Sequence, residues 1–158
     1  MADLHIEEFY RDAAIALVQL YHAFPRRTDV YVEDIAGPDQ PDEFGLHSRR
    51  HMVCFGALLW LADEGFLRYV DLIRQEALDQ AVLTQKGFLA LSRIIEPELR
   101  KRLTPDSDGL LAQVAPSVQD ELATAVNMLR TCLRDGHSTR ISEAVHAVLF
   151  TQPSGPNA

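Results

Sequence analysis

Met52-Val-Cys-Phe-Gly-Ala-Leu-Leu-Trp-Leu-Ala62, followed at once by Asp63-Glu-Gly-Phe-Leu67, is the stretch on which the fold turns. Its first part predicts a helix that is apolar on every face. Leu58 and Leu61 lie about one turn apart on a single face, which points that flank at a core. Gly65 sits where a helix-ending glycine belongs, because glycine takes a left-handed backbone without strain. Ser48 is placed to cap the start, since its side-chain oxygen can accept from an amide of the first turn. The helix is therefore expected from Ser48 to Glu64.

Working upstream, Ile6, Phe9, Tyr10, Ala13, Leu17, Leu20, Tyr21 and Phe24 form one stripe at helical spacing, which predicts a helix over Asp3 to Phe24. Glu7, Glu8 and Asp12 fall in its early turns, where the helix dipole favours acids. Pro25 stops it. Val30-Tyr31-Val32 is a short β-type run, and Glu33 to Gly37 suits a single helical turn. Pro38 to Gly45 holds two prolines and turn-forming acids and reads as a loop.

Downstream, Phe66 to Val70 and Ala81-Val82-Leu83 read as strands joined by a ribbon over Asp71 to Gln80. Thr84 caps a helix carrying Phe88, Leu89, Leu91, Ile94 and Ile95. Beyond Pro97 the pattern is helical again. A short helix is expected over Glu98 to Leu103, a turn over Asp106 to Gly109 and a helical turn over Leu110 to Val114. Pro116 then opens a long helix that carries Val118, Leu122, Ala125, Val126, Leu129 and Leu133 and ends at Asp135-Gly136. A last helix is expected over Thr139 to Phe150, and residues 151–158 have the composition of a disordered tail.

The chain has 158 residues, 47% of them hydrophobic and 24% charged, enough to build a real core. Its formal net charge of −8 opposes non-specific attraction to phosphate backbones, although a local basic patch could override it. The first residues lack the basic segment of a secretory leader, and the longest apolar run is shorter than a bilayer requires. A cytoplasmic protein without a membrane partner is the expectation. Cys54 and Cys132 each sit in an apolar helical segment and read as buried free thiols.

Residues 4–95 thus spell helix, short strand, turn, helix, strand, ribbon, strand, helix. That order resembles the winged-helix family, most closely at Leu58-x-x-Leu61-x-x-x-Gly65-Phe66-Leu67 and at Val82-Leu83-Thr84-x-Lys86-Gly87. The resemblance implies a mostly helical α+β fold: a winged-helix domain over residues 1–95 with a small antiparallel β-ribbon. A helical extension for packing or dimerisation follows over 96–150. It also implies that the helix centred on Trp60 is the one that usually reads DNA.

On that implication Arg49 and Arg50 at the helix start, with Arg26, Arg27, Arg68, Arg74 and Lys86, would meet phosphates. The ribbon also carries Asp71, Glu76 and Asp79, and the loop before the helix carries Asp39, Asp42 and Glu43. Met52, Phe55, Leu59 and Trp60 occupy positions where a groove-reading helix needs polar groups. Burial of those rings against protein is the more favourable use, each removing on the order of 150–250 Å² from water. The cover could be the chain's own C-terminal helices, a twofold partner or a foreign peptide.

His47 and His51 are four apart, a spacing that can bring two imidazoles to one metal, but no third ligand is evident from the sequence. No phosphate-binding glycine loop, nucleophile elbow or paired-cysteine motif is present. The expectation is a non-catalytic winged-helix protein without metal or cofactor that acts through protein contacts, as a homodimer or with another subunit. Phe55, Leu59, Trp60, Leu122, Leu129 and Leu133 are its expected burial anchors. A DNA-binding transcriptional regulator is the alternative.

Overall fold

The computed structural model describes residues 3–105 and 113–150. The expected turn over Asp106 to Gly109, most of the helical turn over Leu110 to Val114 and the tail over 151–158 lie outside the described residues. The described chain is α+β, with small antiparallel sheet and helices on either side of it in sequence. In order it runs α1 (Leu4–Ala23), β1 (Thr28–Tyr31), α2 (Val32–Ala36), α3 (Arg49–Asp63), β2 (Leu67–Arg68), β3 (Asp71–Ile73), β4 (Ala77–Leu83) and α4 (Gln85–Ser92). Then follow α5 (Pro97–Leu103), α6 (Pro116–Leu122), α7 (Ala125–Asp135) and α8 (Ser138–Leu149).

β4 is the centre of the sheet. β1 pairs with it on one side, and β2 and then β3 pair with it on the other, all antiparallel. The ribbon between the expected strands is itself mostly strand: Ile73 pairs with Ala77, so the hairpin tip is Arg74-Gln75-Glu76 and β4 begins well before Ala81. A bulge conceals this from the residue pattern. Gln80 adopts φ +52° and the β1 register slips beside it, while Asp29 Oδ1 accepts the Gln80 amide at 2.9 Å.

The segment quoted first forms as its residues dictate. Ser48 Oγ accepts the His51 amide at 3.2 Å and starts α3. At the other end Gly65, at φ +84°, closes the helix: its amide bonds Ala62 O and the Phe66 amide bonds Leu61 O, the paired geometry of a glycine stop. The start of α4 locks onto that stop. The Thr84 hydroxyl accepts the Gly87 amide at 3.1 Å and donates to Gly65 O at 2.5 Å, and Lys86 Nζ donates to Glu64 O at 2.8 Å. A Cβ on Gly87 would lie 2.0 Å from Phe66 O, so only glycine fits. The two sequence blocks around Gly65 and Gly87 are thus one joint.

The long C-terminal helix expected from Pro116 is broken. Ala123 and Thr124 leave the helix between α6 and α7 and pair with the end of α4: Ile95 N bonds Ala123 O at 3.0 Å and Ala125 N bonds Arg93 O at 2.9 Å. Backbone pairing with a distant segment outweighs continued helix there, and a two-heptad seam does not form. α7 and α8 instead turn Val126, Met128, Leu129, Ile141, Val145 and Val148 into the same core as Leu17, Leu58, Leu61 and Leu78. The residues after 95 therefore share one continuous core with those before it.

Candidate functional site

The two arginines that open α3 are bound to α1. Glu8 and Asp12 are four apart, which puts both carboxylates on the helix face that meets α3. Arg49 donates from both terminal nitrogens to Glu8, at 3.1 and 2.8 Å, and Arg50 donates likewise to Asp12, at 2.7 and 2.5 Å. Asp12 is 0% exposed, so Arg50 neutralises a charge that water cannot reach. Hydrogen bonding from Arg49 holds the Glu8 carboxyl below its ordinary range, and Asp12 raises Arg50. Lys86 is likewise engaged, with its ammonium 4.4 Å from the centre of the Phe66 ring. Arg26, Arg27, Arg68 and Arg74 are exposed. The phosphate-binding set expected from the sequence therefore divides into three residues hydrogen-bonded within the chain, of which Arg49 and Lys86 are still exposed, and four exposed ones for which no such bond is described.

The expected anchors divide similarly. Phe55 and Leu129 are buried inside the chain's own core, and Leu59 and Leu133 pack against it half-buried. Leu122 is half-buried on α6. Trp60 is half-buried between Phe9, edge-on at 5.2 Å, and Phe150, tilted at 5.8 Å. One flank of α3 stays open. Met52, Val53, Gly56 and Trp60 face Ile6 and Phe9 of α1 across a trough of about 400 Å³. Met52 is 37% and Ile6 43% exposed, and no lining residue is an acid, a lysine or an arginine. Neither thiol competes as a chemical site. Burial, then Asp12, pushes Cys54 up to about 12, and burial pushes Cys132 up to about 11.

A third cluster forms where the loop over residues 37–48 meets the start of α3. Asp39 lies beside His47 and His51, with one ligand atom of each within 4.8 Å of the others. Asp39 Oδ1 accepts from the Ser48 hydroxyl at 2.7 Å, the Ser48 amide at 3.2 Å and the Gln40 amide at 2.9 Å. His47 Nδ1 donates to Asp39 Oδ2 at 2.6 Å, and His51 Nδ1 lies 3.7 Å from that same oxygen. The two imidazoles stack with centres 4.0 Å apart. These donors, His47 foremost, hold the Asp39 carboxyl well below the usual carboxylate range. Sequence reasoning found the histidine pair but missed Asp39. As a turn acid in a proline-bounded loop it carried no signal that it folds back onto α3.

No family model, curated protein or solved structure matches the chain.

Proposed function

We propose that this is a winged-helix protein that works through protein contacts, and that the α1–α3 trough is where a second copy of the chain docks. The observation that carries the proposal is the open flank of α3: mostly apolar, with exposed Ile6 and Met52 in its lining, His5 as its one titratable group and no acid, lysine or arginine. The winged-helix half rests on the element order of residues 4–92 and on the β1–β4–β2 strand order.

The occupant follows from charge. Two molecules of formal charge −8 repel, so self-association favours a surface without acids, and the trough is such a surface. Gly56 leaves the α3 backbone uncovered at its middle and permits close helix approach. An isologous pair needs roughly 800 Å² from each copy, so the contact has to spread beyond the trough, over Phe150 beside Trp60.

In the DNA-binding alternative Arg50 is committed to buried Asp12, and the exposed Arg49 and Lys86 would have to leave Glu8 and Glu64 O. That alternative keeps exposed Arg26 and Arg27, and Arg68 and Arg74 on the ribbon that also carries Asp71, Glu76 and Asp79, and it gains an apolar face where base edges would be read.

Light scattering on a sizing column separates the two. The expected mass is twice 17.7 kDa. Met52→Glu should halve it without loss of helical circular dichroism, and should red-shift the emission of Trp60, the chain's single tryptophan. A monomer at about 100 µM together with salt-sensitive retention on duplex DNA would overturn the proposal.

A further inference from the structure

His51 is a buried polar side chain with one ring nitrogen unsatisfied. It is 3% exposed, its Nε2 donates to Gln75 O at 2.7 Å, and its Nδ1 has no hydrogen-bond partner. The carbonyl can only accept, so it fixes the proton of the neutral ring on Nε2 and leaves a lone pair on Nδ1. That nitrogen lies 3.7 Å from Asp39 Oδ2. A lone pair facing a carboxylate is unfavourable, and a proton on Nδ1 would still sit too far from the oxygen for a hydrogen bond. A cation between them satisfies both.

We propose that Asp39 Oδ2, His47 Nδ1 and His51 Nδ1 form a binding site for a divalent transition metal of the zinc class. Two imidazoles and one carboxylate are a donor set that suits such ions. The supporting bonds are those that ligands of this kind use. Gln75 O orients His51 through its other nitrogen, and Ser48 with the Gln40 amide saturates Asp39 Oδ1, leaving Oδ2 for the ion.

Tetrahedral ligands about 2.0–2.1 Å from an ion stand about 3.3–3.5 Å from one another. The 3.7 Å pair needs to close slightly, the 2.6 Å hydrogen bond has to open, and the stacked rings, 5° from parallel with centres 4.0 Å apart, have to turn out of stacking so that both Nδ1 lone pairs meet one ion. For that, His47 takes the tautomer with its proton on Nε2, on a side chain 22% exposed. Three protein ligands leave a fourth position. A cavity of about 270 Å³ lined in part by Gly37, Pro38, Gln40 and Arg50 adjoins the cluster and can admit water or a small anion there.

The site stands whether or not the α1–α3 face self-associates. The untagged full chain, stripped with chelator, is titrated with Zn²⁺ by calorimetry and with Co²⁺ by visible absorption. One equivalent is expected, with the absorption of four-coordinate Co²⁺. His51→Gln and His47→Ala should each weaken Zn²⁺ binding by about 10–100-fold, while His137→Ala, on the exposed α7–α8 turn, should leave it unchanged. His47 is close to the surface, so His47→Ala keeps the test sound if His51→Gln fails to fold. Absence of saturable Zn²⁺ binding up to about 100 µM, or binding that His47→Ala does not weaken, would overturn the site.

Discussion

Asp12 is an acid on the buried side of α1, and Arg50 is the reason it can be there. Its carboxylate has both oxygens matched by one guanidinium, the geometry that best offsets the loss of water around two charges. Removing one partner strands the other. Arg50→Ala is therefore expected to cost about 3–5 kcal/mol, read as a fall in the urea midpoint at unchanged slope. Replacing both, as Asp12→Leu with Arg50→Met, should recover most of that loss, because the site then becomes ordinary core. A double variant as unstable as the single one would show that the pair does more than neutralise itself. Glu8 and Arg49 make the same contact nearer the surface, with the guanidinium side chain 57% exposed.

At the scale of elements, the joint between α3 and α4 carries the strictest steric demand. Gly87 lies against Phe66 O, a backbone atom that cannot rotate away. Gly87→Ala should destabilise by about 2–3 kcal/mol, while Thr84→Ala, which removes a cap, should cost about 1–2 kcal/mol. Chemical denaturation orders the two, and a harmless Gly87→Ala would mean that α4 can pivot off the α3 stop. Gly65 and the Thr84 cap were legible in the sequence because caps and stops are local signals, whereas the demand on Gly87 comes from Phe66 O, 21 residues away. The β3–β4 hairpin and the break before α7 were not legible either. The first is masked by the bulge at Gln80, which interrupts alternation within β4. The second depends on Arg93 and Ile95 presenting free backbone groups to Ala123 and Ala125, a pairing between segments far apart in the chain.

For the molecule as a whole, acid is the informative perturbant. The Glu8 carboxyl binds its proton less readily in the folded chain, chiefly because of Arg49, than at its ordinary value of 4.5. Below that value the unfolded chain takes up protons that the folded chain does not. Stability supplied by the contact is therefore complete above the ordinary carboxylate range and is lost as pH falls through the folded value. Glu8→Gln should lower stability at about pH 7 and flatten its decline between about pH 5 and pH 3, measured by guanidinium unfolding across pH. An unchanged slope would assign the acid sensitivity to other carboxylates.

By itself the sequence determined the helices with strong apolar stripes, their capping and stopping residues, the apolar character of α3 and the histidine pair at its start. Each of these is written in spacing over a few residues, where backbone geometry decides which side chains share a face. Only the tertiary structure decided which apolar faces are covered, where Arg49 and Arg50 spend their charge, and that Asp39 joins His47 and His51. Those outcomes depend on α1, the loop over residues 37–48 and the hairpin tip meeting at the start of α3. Contacts across such distances in the chain are selected by the packing of the whole core, which no local pattern encodes.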